Sequence, residues 1–124
     1  MKALIHEDVE QEAVIDYCRL LSIPIIHIPN EGKRSKSYAS KLKRMGLAKG
    51  FPDLFIPLAK KGAHGLFVEL KVGNNKTTEE QREWLSLLRD NGYAAYVCRG
   101  FQSAKNCIDE YLKEDTNLNA GKER

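Results

Sequence analysis

Apolar positions recur along this chain with two different periods, and the period changes several times between residues 7 and 112. Apolar residues spaced three and four apart predict helices, whereas short β-branched runs predict strands. Clusters of glycine and polar residues separate these segments. The pattern predicts helices at 7–21, 38–45, 78–91 and 103–112, and strands at 23–28, 53–57, 66–72 and 93–98.

The order of these elements is typical of an α/β fold. The segment at 60–65 is a short turn, so the strands before and after it can pair as an antiparallel hairpin. A helix lies between the third and fourth strands, and such a crossover favours parallel pairing. We therefore expect a mixed central β-sheet flanked by helices, in a single domain over residues 1–114. Residues 115–124 are polar and are expected to form a disordered tail.

The apolar segments are too short for a membrane protein. None approaches the roughly 20 residues that a spanning helix needs, and the N-terminus lacks the apolar stretch of a secretion signal. The sequence therefore predicts a cytoplasmic protein without a membrane partner.

Positive charge is concentrated in one segment, although the net charge of the chain is only +3. Residues 31–50 contain one acid, Glu31, and seven basic residues: Lys33, Arg34, Lys36, Lys41, Lys43, Arg44 and Lys49. Clustered basic side chains are typical of contacts to nucleic-acid phosphates. On charge alone, a solvated loop would explain the segment equally well. We predict that residues 31–45 form a mobile segment that contacts DNA.

One constellation of side chains indicates a specific chemistry. Pro52-Asp53 is followed, after fifteen intervening residues, by Glu69-Leu70-Lys71. Side chains alternate between the two faces of a strand, so Glu69 and Lys71 point to the same side. Pairing around the turn at 60–65 would bring Asp53 to the same end of the sheet. Two carboxylates and an ammonium group would then converge.

Such a cluster is suited to the hydrolysis of a phosphodiester bond with Mg²⁺ or Mn²⁺. These cations prefer oxygen ligands, polarise a phosphoryl oxygen and lower the pKa of a bound water. A nearby lysine can orient that water or stabilise the charge that develops on the phosphate. The alternative is an exposed Glu-x-Lys ion pair of little energetic consequence. Apolar residues 66–68 favour the first interpretation, because unpaired charge is costly in a central strand.

Several ordered stretches resemble the VRR-NUC domain, a branch of the PD-(D/E)xK nuclease superfamily. They are GLAKGFPDL at 46–54, GLFVELK at 65–71, TEEQ at 78–81 and WL at 84–85. NEGKR at 30–34 also resembles the family segment that follows the first strand. The resemblance extends from about residue 7 to 108 and implies a restriction-endonuclease-like core for the predicted sheet.

The resemblance implies a role for each residue that matches a family motif. Asp53 and Glu69 match the metal ligands, and the backbone carbonyl of Leu70 matches the remaining ligand that the protein provides to the metal. Lys71 matches the catalytic lysine. Gln81 matches a glutamine that borders the active site.

The first helix of the family carries a glutamate followed four positions later by a glutamine, and Glu7 with Gln11 fits that spacing on one helix face. Glu10 is the competing candidate for the acid. The alternative role for Glu7 is to complement the dipole at the start of the helix. His27 lies in a predicted strand and is expected to be packed rather than catalytic.

The resemblance also implies an activity, a substrate and an assembly. It indicates a metal-dependent endodeoxyribonuclease, and stand-alone members resemble phage-encoded homodimers that resolve branched DNA. We therefore expect a Holliday-junction resolvase of a bacterial or phage-infected host cell. Cleavage of flaps or of other branched duplexes is the alternative among nucleases. A non-catalytic nucleic-acid-binding module, using the basic stretch 33–49, and a plain interaction protein are the alternatives of other classes.

Overall fold

The computed structural model describes residues 2–29 and 36–114, with side chains from residue 7 onward. Four helices and four strands lie in these ranges. In chain order they are α1 (Lys2–Leu20), β1 (Ile26–His27), α2 (Lys36–Arg44), β2 (Leu54–Ile56), β3 (Leu66–Lys71), α3 (Glu79–Asp90), β4 (Ala94–Arg99) and α4 (Gly100–Leu112). None of the helices in the described ranges combines the length and apolar character needed to cross a membrane.

The strands form one mixed sheet in the order β1-β2-β3-β4. β2 pairs antiparallel with both β1 and β3, whereas β3 pairs parallel with β4. The short turn before β3 permits the antiparallel hairpin, and the α3 crossover requires the parallel pair. The prediction of a mixed sheet flanked by helices is therefore confirmed.

β3 is an interior strand of the sheet, and all six of its residues are buried. On one face, Leu66, Val68 and Leu70 belong to the larger core, which α1 and α4 cover. On the other face, Phe67 packs with Leu85 of α3 in a smaller core. Because side chains alternate, Glu69 and Lys71 follow Phe67 on the α3 side, where this smaller core ends.

The bounds of α1, α4 and β1 differ most from the prediction. α1 begins at Lys2 rather than at residue 7, and α4 begins at Gly100 rather than at 103. β1 contains two residues rather than six. Pro24 cannot donate a backbone hydrogen bond, and β1 lies at the edge of the sheet, so its pairing is short.

The basic segment is partly a helix. Lys36, predicted to lie in a loop, begins α2, and α2 has no buried residue. Two parts of the chain lie outside the described residues. They are Lys33 and Arg34 of the segment predicted to be mobile, and the predicted tail at 115–124.

Candidate active site

A cleft of about 430 Å³ opens at the C-terminal end of β3. Its walls come from α1, β1, the loop before β2, β3 and the start of α3. Mostly polar and charged residues line it: Glu7, Asp8, Gln11, His27, Lys49, Gly50, Asp53, Glu69, Lys71, Thr78 and Gln81. The fold thus brings together all six side chains that the family pattern singled out.

Backbone hydrogen bonds hold Asp53 beside β3. Its Oδ2 accepts from the N–H of Leu70 at 2.9 Å, and its carbonyl accepts from the N–H of Ile28 at 2.7 Å. Asp53 directly precedes β2. It is held on one side by Leu70 of β3 and on the other by Ile28, the residue after β1. This arrangement brings its carboxylate to Glu69 and Lys71, as the predicted hairpin required.

Glu69 and Lys71 form a buried pair. Lys71 Nζ lies 3.8 Å from Glu69 Oε2, and the two side chains are only 11% and 3% exposed, respectively. This burial contradicts the interpretation of Glu-x-Lys as an exposed surface ion pair. Two charged side chains at the end of a buried strand carry a large desolvation cost, so their presence requires compensation from the surrounding groups.

Burial raises the pKa of three carboxyl groups in the cleft, and the charge of Asp53 adds to the shift of the other two. Burial, followed by the charge of Asp53, raises the pKa of Glu69 to about 8, although Lys71 opposes the shift. Burial is also the main cause that raises the pKa of Asp53. The pKa of Glu7 is raised by burial and then by Asp53. The cleft therefore has an excess of negative charge that a cation would compensate.

The oxygens of Asp53 and Glu69 fit a divalent cation. Glu69 Oε1 is buried and has no hydrogen-bond partner among the described residues. An ionised carboxylate left in this state would be unfavourable without a cation. Within residues 7–29 and 36–114, no three His, Cys, Asp or Glu side chains are grouped to hold a metal by themselves. Mg²⁺ commonly binds through one or two carboxylates and retains several waters, so this donor set suits it.

Gln81 links the start of α3 to Glu69. Thr78 followed three residues later by Gln81 is the sequence signature of a capping box, and the box is present. Gln81 N–H donates to Thr78 Oγ1 at 3.1 Å, and Thr78 N–H donates to Gln81 Oε1 at 2.8 Å. The amide Nε2 of Gln81 then donates to Glu69 Oε2 at 3.1 Å. One side chain therefore both starts the helix and orients the carboxylate.

The geometry distinguishes Glu7 from Glu10. Glu7 and Gln11 line the cleft, whereas Glu10 is engaged elsewhere, because its Oε1 accepts from the N–H of Phe101 at the start of α4. α1 begins at Lys2, so Glu7 lies beyond the first turn, where interaction with the helix dipole is concentrated. The structure thus favours Glu7 as the acid facing the cleft and argues against dipole complementation.

The expectation that His27 is packed is wrong. His27 is exposed and lines the cleft, with Gln11 Nε2 lying 3.1 Å from its Nδ1. Both residues of β1 are exposed because this strand forms the edge of the sheet. Prolines at 24 and 29 bracket the strand, and prolines are a signal of edge strands that could have indicated this exposure.

Aromatic contacts fix the loop that leads to Asp53. Trp84 Nε1–H donates to the carbonyl of Lys49 at 3.1 Å. The ring of Phe51 meets the rings of Phe67 and Trp84 edge to face, with centroids 5.3 and 5.0 Å apart. Phe51 therefore belongs to the smaller core and supports the loop from beneath.

Gly50→Ala should destabilise the fold by about 2–4 kcal/mol, because it combines backbone strain with a steric clash. Gly50 has φ +85°, and a Cβ there would lie 2.8 Å from Glu80 Cβ. Thermal unfolding of Gly62→Ala is the matched control, because Gly62 has φ +84° and nothing within 4 Å of an added Cβ. Equal losses of stability in the two variants would show that close packing against α3 is unimportant.

The described basic residues extend from α2 to the edge of the cleft. Four are exposed on α2: Lys36, Lys41, Lys43 and Arg44. Lys43 and Lys49 line a common groove, and Lys49 also lines the cleft, where it lies 3.9 Å from Glu80. Lys43 and Lys49 therefore connect the basic face of α2 with the cleft through a shared groove.

Together, the mixed sheet, an aspartate before one strand and a Glu-x-Lys on the next define a protein of the PD-(D/E)xK nuclease class. The model of the VRR-NUC domain matches residues 6–102. The chain belongs to the VRR-NUC domain family, a family of nuclease domains, which confirms the resemblance seen in its motifs.

Solved structures support the same assignment. A VRR_NUC domain protein is 33% identical, with 86% of this chain and 88% of that chain covered and a TM-score of 0.75. A second structure, a VRR_NUC domain, is 21% identical, covers 86% of this chain and 98% of that chain, and has a TM-score of 0.60. The second similarity concerns the fold alone. No curated protein matches the chain.

Proposed function

We propose that this chain is a Mg²⁺- or Mn²⁺-dependent endodeoxyribonuclease whose reaction takes place at Asp53, Glu69 and Lys71. The observation that carries the proposal is that the buried carboxylate of Glu69 lies with the half-buried Asp53 beside one buried lysine, and that Glu69 Oε1 lacks a partner among the described residues. Burial of these carboxyl groups is unfavourable without a cation and becomes favourable with one.

Each side chain would have a distinct task. Asp53 and Glu69 would hold the cation, together with the carbonyl of Leu70. When bound, the cation would polarise a phosphoryl oxygen and lower the pKa of a water. Lys71 would orient the attacking water and stabilise the charge that develops on the phosphate. Gln81 would keep Glu69 in place through its 3.1 Å hydrogen bond.

Glu7 would act from the opposite wall of the cleft. Burial and the charge of Asp53 raise its pKa, which brings this carboxyl closer to the range in which it can exchange protons at working pH. Glu7 is therefore suited to accept a proton from the attacking water. Gln11, one helical turn away, faces the same cleft.

DNA would reach the site along the exposed basic residues of α2 and along Lys49. Replacing Lys41, Lys43 and Arg44 together with Ala should weaken DNA binding, and each lost phosphate contact should lower the slope of log K against log salt by about 0.9. Fluorescence anisotropy across a salt series measures both quantities. The matched control replaces Lys60, Lys61 and Lys113, which removes the same charge elsewhere. If both variants weaken DNA binding equally, affinity depends on the net charge of the protein and not on the basic residues of α2.

We infer from the family resemblance that the substrate is branched, with the four-way Holliday junction first and flaps or other branched duplexes next. We also infer a homodimer in a bacterial or phage-infected host cell. A two-fold dimer would present two identical sites to the two symmetric strands of a junction.

The test compares the cleavage of labelled four-way junction, flap and matched linear duplex by the full chain in Mg²⁺, Mn²⁺ or EDTA. Paired symmetric nicks in the junction, absent in EDTA, are the expected result. Equal cutting of linear duplex by a dimer would contradict the resolvase proposal. Binding without cutting in either metal would favour a non-catalytic binding module, and absence of binding would favour an interaction protein. Light scattering reports the oligomeric state.

A further inference from the structure

His27 has none of the tasks assigned so far, although it lines the cleft. It is exposed and shares this cleft with Asp53, Glu69 and Lys71. In the pairing of β1 with β2, His27 lies opposite Leu54, the residue after Asp53. A phosphate placed for attack beside the carboxylates would therefore come close to this imidazole.

Gln11 contacts one ring nitrogen of His27. Gln11 Nε2 lies 3.1 Å from His27 Nδ1. An amide nitrogen donates and does not accept, so this contact is a hydrogen bond when Nδ1 is the acceptor. A neutral imidazole then has its proton on Nε2. This N–H is not used by Gln11 and remains available to an acceptor in the cleft.

We propose that His27 donates a hydrogen bond from Nε2 to a non-bridging phosphate oxygen of the bound DNA strand, and that Gln11 is the positioning residue that holds this tautomer. The inference rests on the proposed nuclease function and deepens it. Phosphate oxygens are the commonest acceptors on DNA, and a neutral donor can bind them without adding an ionised group to a crowded site. Gln11 thereby acquires a role that requires no contact with a metal.

Single-turnover cleavage of the DNA that the wild type cuts best tests the contact. His27→Ala should cut about 10- to 100-fold more slowly, since this is the usual effect of losing a hydrogen bond to a charged group. His27→Asn, which retains an N–H donor, should recover part of the rate. His64→Ala is the matched control, because His64 lies before β3, at the opposite end of the sheet. A wild-type rate for His27→Ala overturns the proposal.

Long-range ¹H–¹⁵N spectra of the full chain test the role of Gln11 without any need for activity. In EDTA, the neutral imidazole of His27 should show the Nε2–H tautomer. Gln11→Met should give a mixture of tautomers with the same melting behaviour. A dominant Nδ1–H form, or no change in Gln11→Met, overturns the assignment.

The two levels of the proposal can fail separately. If the wild type cuts DNA and His27→Ala cuts it equally well, only the role of His27 is wrong. If the wild type cuts no DNA in either metal, the nuclease proposal fails. The contact between His27 and phosphate is then tested by adding a short DNA duplex to the protein in EDTA. A phosphate contact must shift the ring resonances of His27, and unshifted resonances overturn the proposed contact.

Discussion

Lys71→Gln should cleave DNA about 10²- to 10⁴-fold more slowly than the wild type in a single turnover, in Mg²⁺ and in Mn²⁺ alike. The lysine provides the positive charge paired with Glu69, at 3.8 Å, and it is buried where water cannot replace that charge. Glutamine retains most of the length of the side chain but neutralises it. The loss should therefore appear in the rate of cleavage at saturating enzyme, with a smaller change in DNA affinity.

The stability of the Lys71 variant must be measured beside its activity. Removing one partner of a buried ion pair commonly costs about 3–5 kcal/mol, because the other charge is left unpaired. Here Glu69 has a pKa raised to about 8 by burial and by Asp53, so it can remain protonated near neutral pH and reduce that cost. Lys113→Gln is the control for the lost charge. If folded Lys71→Gln cuts as fast as this control, the active site has been misplaced.

Glu69→Gln should abolish metal-dependent cleavage and, in EDTA, should make the protein more stable than the wild type at alkaline pH. In the wild type, burial raises the pKa of Glu69 from 4.5 to about 8. Between these values the folded chain holds a proton that the unfolded chain has lost, so stability falls as pH rises through this window. Glutamine imitates the protonated acid because it is uncharged and its amide can donate, so it removes this part of the pH dependence.

Melting curves in EDTA, recorded from about pH 5 to about pH 9, test the effect, and repetition with Mg²⁺ tests the metal. Mg²⁺ should raise the melting temperature of the wild type and not that of Glu69→Gln. Glu83→Gln, an exposed change on α3, is the matched control and should behave as the wild type in both series. Equal stabilisation of Glu69→Gln by Mg²⁺ would show that Glu69 is not a ligand.

The sequence predicts the central part of the site because short-range rules determine it. Alternation along β3 places Glu69 and Lys71 on one face, and a hairpin around the turn at 60–65 brings Asp53 to them. The capping box between Thr78 and Gln81 is likewise local, since it links residues three apart. The assignment of Gln81 to the site itself required the family resemblance, because its bond to Glu69 joins separate elements.

Contacts between distant segments account for what the sequence could not predict. The start of α4 at Gly100 depends on a carboxylate from α1, since Glu10 accepts from the N–H of Phe101. The same contact separates Glu10 from Glu7, which spacing alone left open. His27 was misjudged because its apolar neighbours resemble a buried strand, whereas β1 lies at a sheet edge and presents the ring to the cleft.

The shared use of the Gln81 amide limits how this site can change. At the third position of a capping box, glutamate serves the helix as well as glutamine does. Glutamate here would leave α3 intact and yet place a third acid against Glu69, because the Nε2–H donor that now holds Oε2 would be gone. Helix stability alone therefore does not distinguish the two residues. The contact with Glu69 does, because it requires a side chain that accepts a hydrogen bond at one atom and donates one from another.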